Sequence, residues 1–114
     1  MANIYKNEMF ALANTGSNLL YTVPSDSRAI IKSILVSDDT NNGSTITVDL
    51  FNGPSATSFK FNLFKTKTVS GNSTIQLITE PLILMESEVL QVTAGDANRL
   101  HVVASILEIN RNDQ

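Results

Sequence analysis

The chain has 114 residues, of which 42% are hydrophobic and 17% charged, with a net charge of −3 and no cysteine. That length predicts one domain, residues 1–114, around one core that folds without disulfide staples. Zinc-finger, collagenous, disulfide-rich and disordered classes are excluded, and no apolar run approaches the ~20 residues of a membrane span. The unusual part is polar but uncharged: 12 Asn, 12 Ser and 11 Thr stand against two Tyr, no Trp and one His.

The first ten residues, MANIYKNEMF, lack the uninterrupted apolar stretch of a secretory signal, so synthesis in a cytoplasm is expected. Residues 1–17 read either as a first strand or as an N-terminal arm laid on a neighbour, anchored by Ile4, Tyr5, Met9, Phe10 and Leu12. Beyond them the signal is period two. Thr45-Ile46-Thr47-Val48-Asp49-Leu50 alternates aliphatic and polar residues, as a half-buried strand does. Ser58-Phe59-Lys60-Phe61-Asn62-Leu63 repeats the pattern with aromatic residues inward, and Leu90, Val92 and Ala94 mark another buried face. Turns are predicted at Val23-Pro24-Ser25-Asp26, Asn41-Asn42-Gly43-Ser44, Asn52-Gly53-Pro54-Ser55, Ser70-Gly71-Asn72-Ser73 and Ala94-Gly95-Asp96.

Between these turns lie about eight strands, near residues 4–12, 19–23, 29–37, 45–51, 58–68, 74–84 (bent at Pro81), 88–94 and 99–109. The spacing and the 29 β-branched Val, Ile and Thr residues predict an all-β fold. The expected architecture is a single antiparallel β-sandwich, jelly-roll-like.

Two strands depart from half-burial. In 29–37, strict alternation sets Ile30, Ile34 and Val36 on one side and Ile31 and Leu35 on the other. In 99–109, Leu100, Val102, Ala104 and Ile106 oppose Val103, Leu107 and Ile109. A strand apolar on both faces is normally covered on both. The cover is either the N-terminal segment or a loop, or else a neighbouring subunit. On the second reading Ile31, Leu35, Val103, Leu107 and Ile109, with Tyr5 and Phe10 from the N-terminal segment, are the candidate subunit-interface residues.

Catalytic apparatus is not evident. His101, the single imidazole, sits between Leu100 and Val102 and reads as a structural or edge residue. With one His and no Cys, no zinc site or other cofactor is expected. Asp38-Asp39 and the Glu86–Glu88 pair lack calcium-loop spacing and read as turn residues, as does Asp96. No Gly-rich phosphate loop occurs, and eight basic residues never form an adjacent pair, so neither an enzyme nor a nucleic-acid binder is expected. A glycan-binding sandwich is an alternative, though it would want more aromatic platforms than Tyr5 and Tyr21. The five Phe residues (Phe10, Phe51, Phe59, Phe61, Phe64) are assigned to the core.

The run Leu20-Tyr21-Thr22-Val23-Pro24, the strand Arg28 to Val36, and Ser44-Thr45-Ile46-Thr47-Val48 share one pattern. With Pro81-Leu82-Ile83-Leu84 and the closing Val102 to Ile109, they resemble small β-sandwich virion proteins of tailed bacteriophages. The likeness runs from about Ile4 to Ile109, and its motifs are structural rather than catalytic. Ser25-Asp26-Ser27 departs from it, where glycine or asparagine would be expected. The resemblance implies a non-enzymatic virion protein, foremost a capsid decoration (cement) protein bridging major capsid subunits. A tail, neck or fibre-associated adaptor is the alternative within the particle. It further implies other virion proteins as partners, and a homo-oligomer, with trimers common on capsids.

Overall fold

The computed structural model describes residues 2–53, 60–78 and 80–110. Nine strands follow in chain order: β1 (Ala2–Leu12), β2 (Asn18–Thr22), β3 (Ser27–Asp38), β4 (Ser44–Phe51), β5 (Lys60–Val69), β6 (Thr74–Gln76), β7 (Leu82–Leu84), β8 (Val89–Ala94) and β9 (Leu100–Asn110). They form two antiparallel sheets. The first runs β1-β9-β3-β6, with β7 also on β3, and the second runs β2-β8-β4-β5. Every connection except β4–β5 and β6–β7 passes from one sheet to the other, which gives the jelly-roll-like wrapping.

The expected strand 74–84 is two short pieces, because Pro81 has no N–H to give to a ladder. Both pieces pair with β3, so together they fill one strand position. Ser58 and Phe59, expected to open the fifth strand, lie outside the described residues.

Between the sheets, Ile31, Ile34, Val36, Leu100, Val102 and Ile106 from the first meet Ile46, Val48, Leu90 and Val92 from the second. Each of these is at most 1% exposed. Burial of aliphatic surface at about 25 cal/mol per Å² drives this packing. Phe10 and Phe64 pack against the core, whereas Phe61 on the edge strand β5 is 52% exposed, which corrects its assignment to the core.

Strict alternation fails in β3. The pairing with β9 runs Ile30↔Leu107 and Ile31↔Ile106, then resumes at Ser33↔Ser105 and Ile34↔Ala104. Lys32 is thus the extra residue of a bulge, and it reverses the phase of the strand. Ala29 and Ile31 point inward before the bulge, and Ile34 and Val36 point inward after it. Ile30 and Leu35 take the outer face. The predicted division of this strand is corrected accordingly.

Turn chemistry fixes the loops. The buried carboxylate of Asp38 accepts from Thr40 N at 2.7 Å and Thr40 Oγ1 at 2.6 Å. Glu88 Oε1 accepts from Met85 N at 2.6 Å across the β7–β8 turn. Asp96, read from the sequence as a turn residue, accepts from Ser44 Oγ at 2.9 Å and pairs with Arg99 at 3.4 Å. At Gly71 a Cβ would lie 2.6 Å from Asn41 backbone atoms, so only glycine lets these two loops meet.

Candidate interaction surface

Residues directly opposite each other across an antiparallel pair share a face, so the register maps the outer surface of the first sheet. Near one end a row runs Tyr5 (β1), Leu107 (β9), Ile30 (β3), Ile83 (β7). Near the other runs Met9 (β1), Val103 (β9), Leu35 (β3). Between them Asn7, Ser105 and Ser33 make a polar row, in which Ser105 Oγ donates to Asn7 Oδ1 at 3.0 Å. A hollow of about 200 Å³ opens at this polar row, lined by Tyr5, Asn7, Lys32 and Ser105 among others. Ile109, opposite both Asn3 and Arg28, extends the face toward the strand end.

Large apolar side chains in these rows meet solvent. Tyr5 and Met9 are each 72% exposed, Ile83 63% and Leu35 39%, while Leu107 and Val103 are half-buried by their neighbours. Single exposed apolar residues are ordinary, but rows shared by three or four strands form an apolar surface.

Five of the seven sequence-derived candidates therefore lie together on one face: Tyr5, Leu35, Val103, Leu107 and Ile109. Two do not. Ile31 is fully buried, because the bulge at Lys32 turns it inward, and it cannot touch another subunit. Phe10 lies opposite Val102 on the inner face and packs on the core. Sequence reasoning missed Ile30, whose phase depends on the bulge, and Ile83, whose outward position follows only from its pairing with Ile30. Met9, named only as an arm anchor, belongs to the same face.

On the inner side of β1 a polar cluster closes the seam between the sheets. Tyr21 Oη from β2 donates to Glu108 Oε2 at 2.5 Å, and Lys6 Nζ lies 3.1 Å from both Glu108 Oε2 and Glu8 Oε1. The ammonium also sits 5.4 Å from the centre of the Tyr21 ring. Burial, then the hydrogen bond to Glu108 and the nearby carboxylate charges, hold the Tyr21 phenol well above its ordinary pKa. For Lys6, burial works against the ammonium, but hydrogen bonds to Glu108 and Glu8 outweigh it and its pKa is raised. Both groups are thus held in their protonated forms. The pattern is that of a stabilising seam, with a buried carboxylate satisfied by two donors.

His101 projects from the outer end of β9, its Nδ1 4.0 Å from Asp39 Oδ2. Among the described residues no group of three or more His, Cys, Asp or Glu is placed to hold a metal ion, and no helix is long and apolar enough to cross a membrane.

No protein-family model matches the chain, and no curated protein matches its sequence. Solved structures do resemble its fold. A chain of the capsid of Helicobacter pylori bacteriophage KHP30 superposes with a TM-score of 0.58 at 16% identity, covering 96% of this chain and 89% of that one. A Bacillus endospore appendage, from a family of disulfide-linked pili, gives 0.55 at 13%, covering 96% and 87%. VP2 of infectious bursal disease virus gives 0.53 at 11%, covering 95% of this chain but only 32% of its own. At these identities the likeness is one of fold, and the chain shares its β-sandwich with structural proteins of viral capsids and of a bacterial pilus.

Proposed function

We propose that this protein is a non-enzymatic structural component of a tailed-phage virion, and within it a capsid decoration protein that bridges neighbouring major capsid subunits. The observation that carries the reading is the doubly apolar first sheet, whose outer rows give a chain of this size a surface to be covered by a partner. The contact residues are Tyr5, Met9, Leu35, Val103, Leu107 and Ile109. The KHP30 likeness supports this reading, since the aligned fractions make the two chains nearly equal in length. One β-sandwich domain acts as a whole, with other virion proteins as its partners and the particle as its location. Bridging stabilises a shell by mass action: a ligand that binds only the assembled lattice contributes RT ln(1 + [L]/Kd) per site.

Copy number in purified particles tests the assignment. Quantitative mass spectrometry should find copies on the scale of the major capsid protein. Six or twelve copies per particle would place the chain at the neck or tail and overturn the decoration role. Recombinant Leu107→Asp, checked for folding, should also fail to load onto particles stripped of the wild-type chain.

A further inference from the structure

β1 is the edge of the first sheet: it pairs with β9 along its whole length, and among the described residues no strand pairs with its other side. Such an edge offers a row of free backbone N–H and C=O groups and invites another strand. Native edges are usually blunted, and the opposite rim of the sandwich shows how. β5 carries Lys60, Lys65 and Lys67, two register shifts against β4, and a left-handed residue at Thr66 (φ 49°). β1 has eleven residues in one unbroken register, no proline and no bulge. Its only charges, Lys6 and Glu8, lie on the inner face, opposite Ile106 and Ala104, where they pair with each other at 3.1 Å; inward charges of this kind guard an edge against any strand that does not match them.

Those two charges select a partner. When a strand pairs antiparallel with a copy of itself about a two-fold axis, residue i faces residue j with i + j constant. Only an even sum keeps inner face against inner face. With Asn7 on the axis, Lys6 faces the partner's Glu8 and Glu8 faces the partner's Lys6. On the same inner face Ile4, 48% exposed, meets the partner's Phe10. On the outer face Tyr5 meets the partner's Met9, and Asn7 meets the partner's Asn7. Moving the axis to Lys6 or to Glu8 sets like charges directly opposite, which is destabilising. The apolar rows also become continuous, since Tyr5–Leu107–Ile30–Ile83 is prolonged by Met9, Val103 and Leu35 of the partner.

We propose that this protein forms a two-fold dimer through antiparallel β1–β1 pairing centred on Asn7, joining the first sheets of two copies into one. The proposal is independent of the virion reading, because it concerns the isolated chain. An isologous contact of this kind is the commonest form of oligomer.

A chain without cysteine permits a register-specific test. Facing residues in an antiparallel pair have Cα atoms about 4.5–5.5 Å apart, inside the roughly 4.4–6.8 Å span of a disulfide. Asn7→Cys should therefore oxidise to a covalent dimer under mild conditions. Asn3→Cys, whose two copies would sit about 27 Å apart along the strands, should not. The unmodified protein should sediment at twice its 12.4 kDa chain mass, and Glu8→Lys should weaken the dimer at least tenfold by setting a second ammonium against the partner's Lys6. A wild-type protein that sediments as a monomer or a trimer overturns the proposal. So does Asn7→Cys cross-linking no faster than Asn3→Cys, and that result holds even if Glu8→Lys fails to fold.

Discussion

At the centre of the second sheet's outer face the cross-strand neighbours are Thr47 with Thr93, Asp49 with Gln91, and Asp49 with Asn62, while Leu19 opposite Gln91 and Phe51 opposite Val89 are apolar residues of the same face. On the outer face of the first they are Tyr5 with Leu107, Met9 with Val103, and Leu35 with Val103. Away from the polar seam at β1 the inner faces of both are aliphatic, so the core does not account for the contrast. A sheet that meets water on one side needs only one apolar face, and the centre of the second sheet is built that way. Threonine satisfies it well: the methyl group suits a pleated strand and the hydroxyl stays hydrated or bonds locally, as Thr47 Oγ1 does in accepting from Thr66 N at 3.0 Å. The first sheet spends large apolar side chains where folding alone recovers little, and their stabilisation is realised only under a covering surface. The two sheets carry nearly equal numbers of Asn, Ser and Thr, eight in the strands of the first and nine in those of the second, but six of the nine are threonine against one of the eight.

Placing the same charge on each side of β3 tests the two faces most severely. Ile31→Asp sets a carboxylate, with no partner, among fully buried aliphatics and should prevent folding, a cost of several kcal/mol. Leu35→Asp, on the outer face, should lower the stability read from urea titration by no more than about 1 kcal/mol. Equal destabilisation of the two would mean that the outer face is as much a part of the monomer core as the inner one.

How far the sequence discloses this architecture can be followed through β3. The alternation of β4, β8 and β9 is visible because no residue interrupts it, and it suffices for an all-β sandwich. In β3 a single extra residue, Lys32, reverses the phase, and nothing in a run such as Ile30-Ile31-Lys32-Ser33-Ile34 marks which residue is unpaired. Strict period two therefore exchanges Ile30 for Ile31. Pro81 announces a break, but not that both halves return to the same neighbour. The seam is less legible still: Lys6 and Glu108 are separated by 102 positions, and the complementarity of β1 with itself has meaning only once β1 is known to be an edge.

That seam ties the contrasting sheets together, and its titration gives the second test. Tyr21→Phe removes one donor from Glu108 and leaves Lys6, so a loss of about 1–2 kcal/mol is expected at neutral pH. The unfolded chain releases the Tyr21 proton near pH 10 and that of Lys6 near 10.5, whereas the folded chain holds both more tightly. Unfolding is then accompanied by proton release at alkaline pH. The stabilisation from these groups is complete below about pH 9 and declines as pH rises past 10. Urea midpoints across pH 7 to 11 should show that decline, and it should be shallower in Tyr21→Phe. A variant whose curve runs parallel to the wild type would show that the phenol is not held by Glu108.

The smallest expected effect on folding is the one that bears most directly on the two outer faces. Leu107→Thr gives the first sheet a residue of the kind the second uses, and Thr93→Val does the reverse. Neither side chain is in the core, but both are half-buried, so each should move the stability of the folded monomer by no more than about 1 kcal/mol in urea titration. Their effects on association should nevertheless be opposite. Leu107→Thr interrupts the Tyr5–Leu107–Ile30–Ile83 row at its centre and should lower binding to purified particles by an amount that its folding energy does not explain. Thr93→Val enlarges the apolar area of a face that stays wet, so it should leave particle binding unchanged and raise self-association at high protein concentration. If both variants bound particles equally well, the apolar rows would be a neutral feature of one sheet, and the division of labour between the two outer faces would have no functional content.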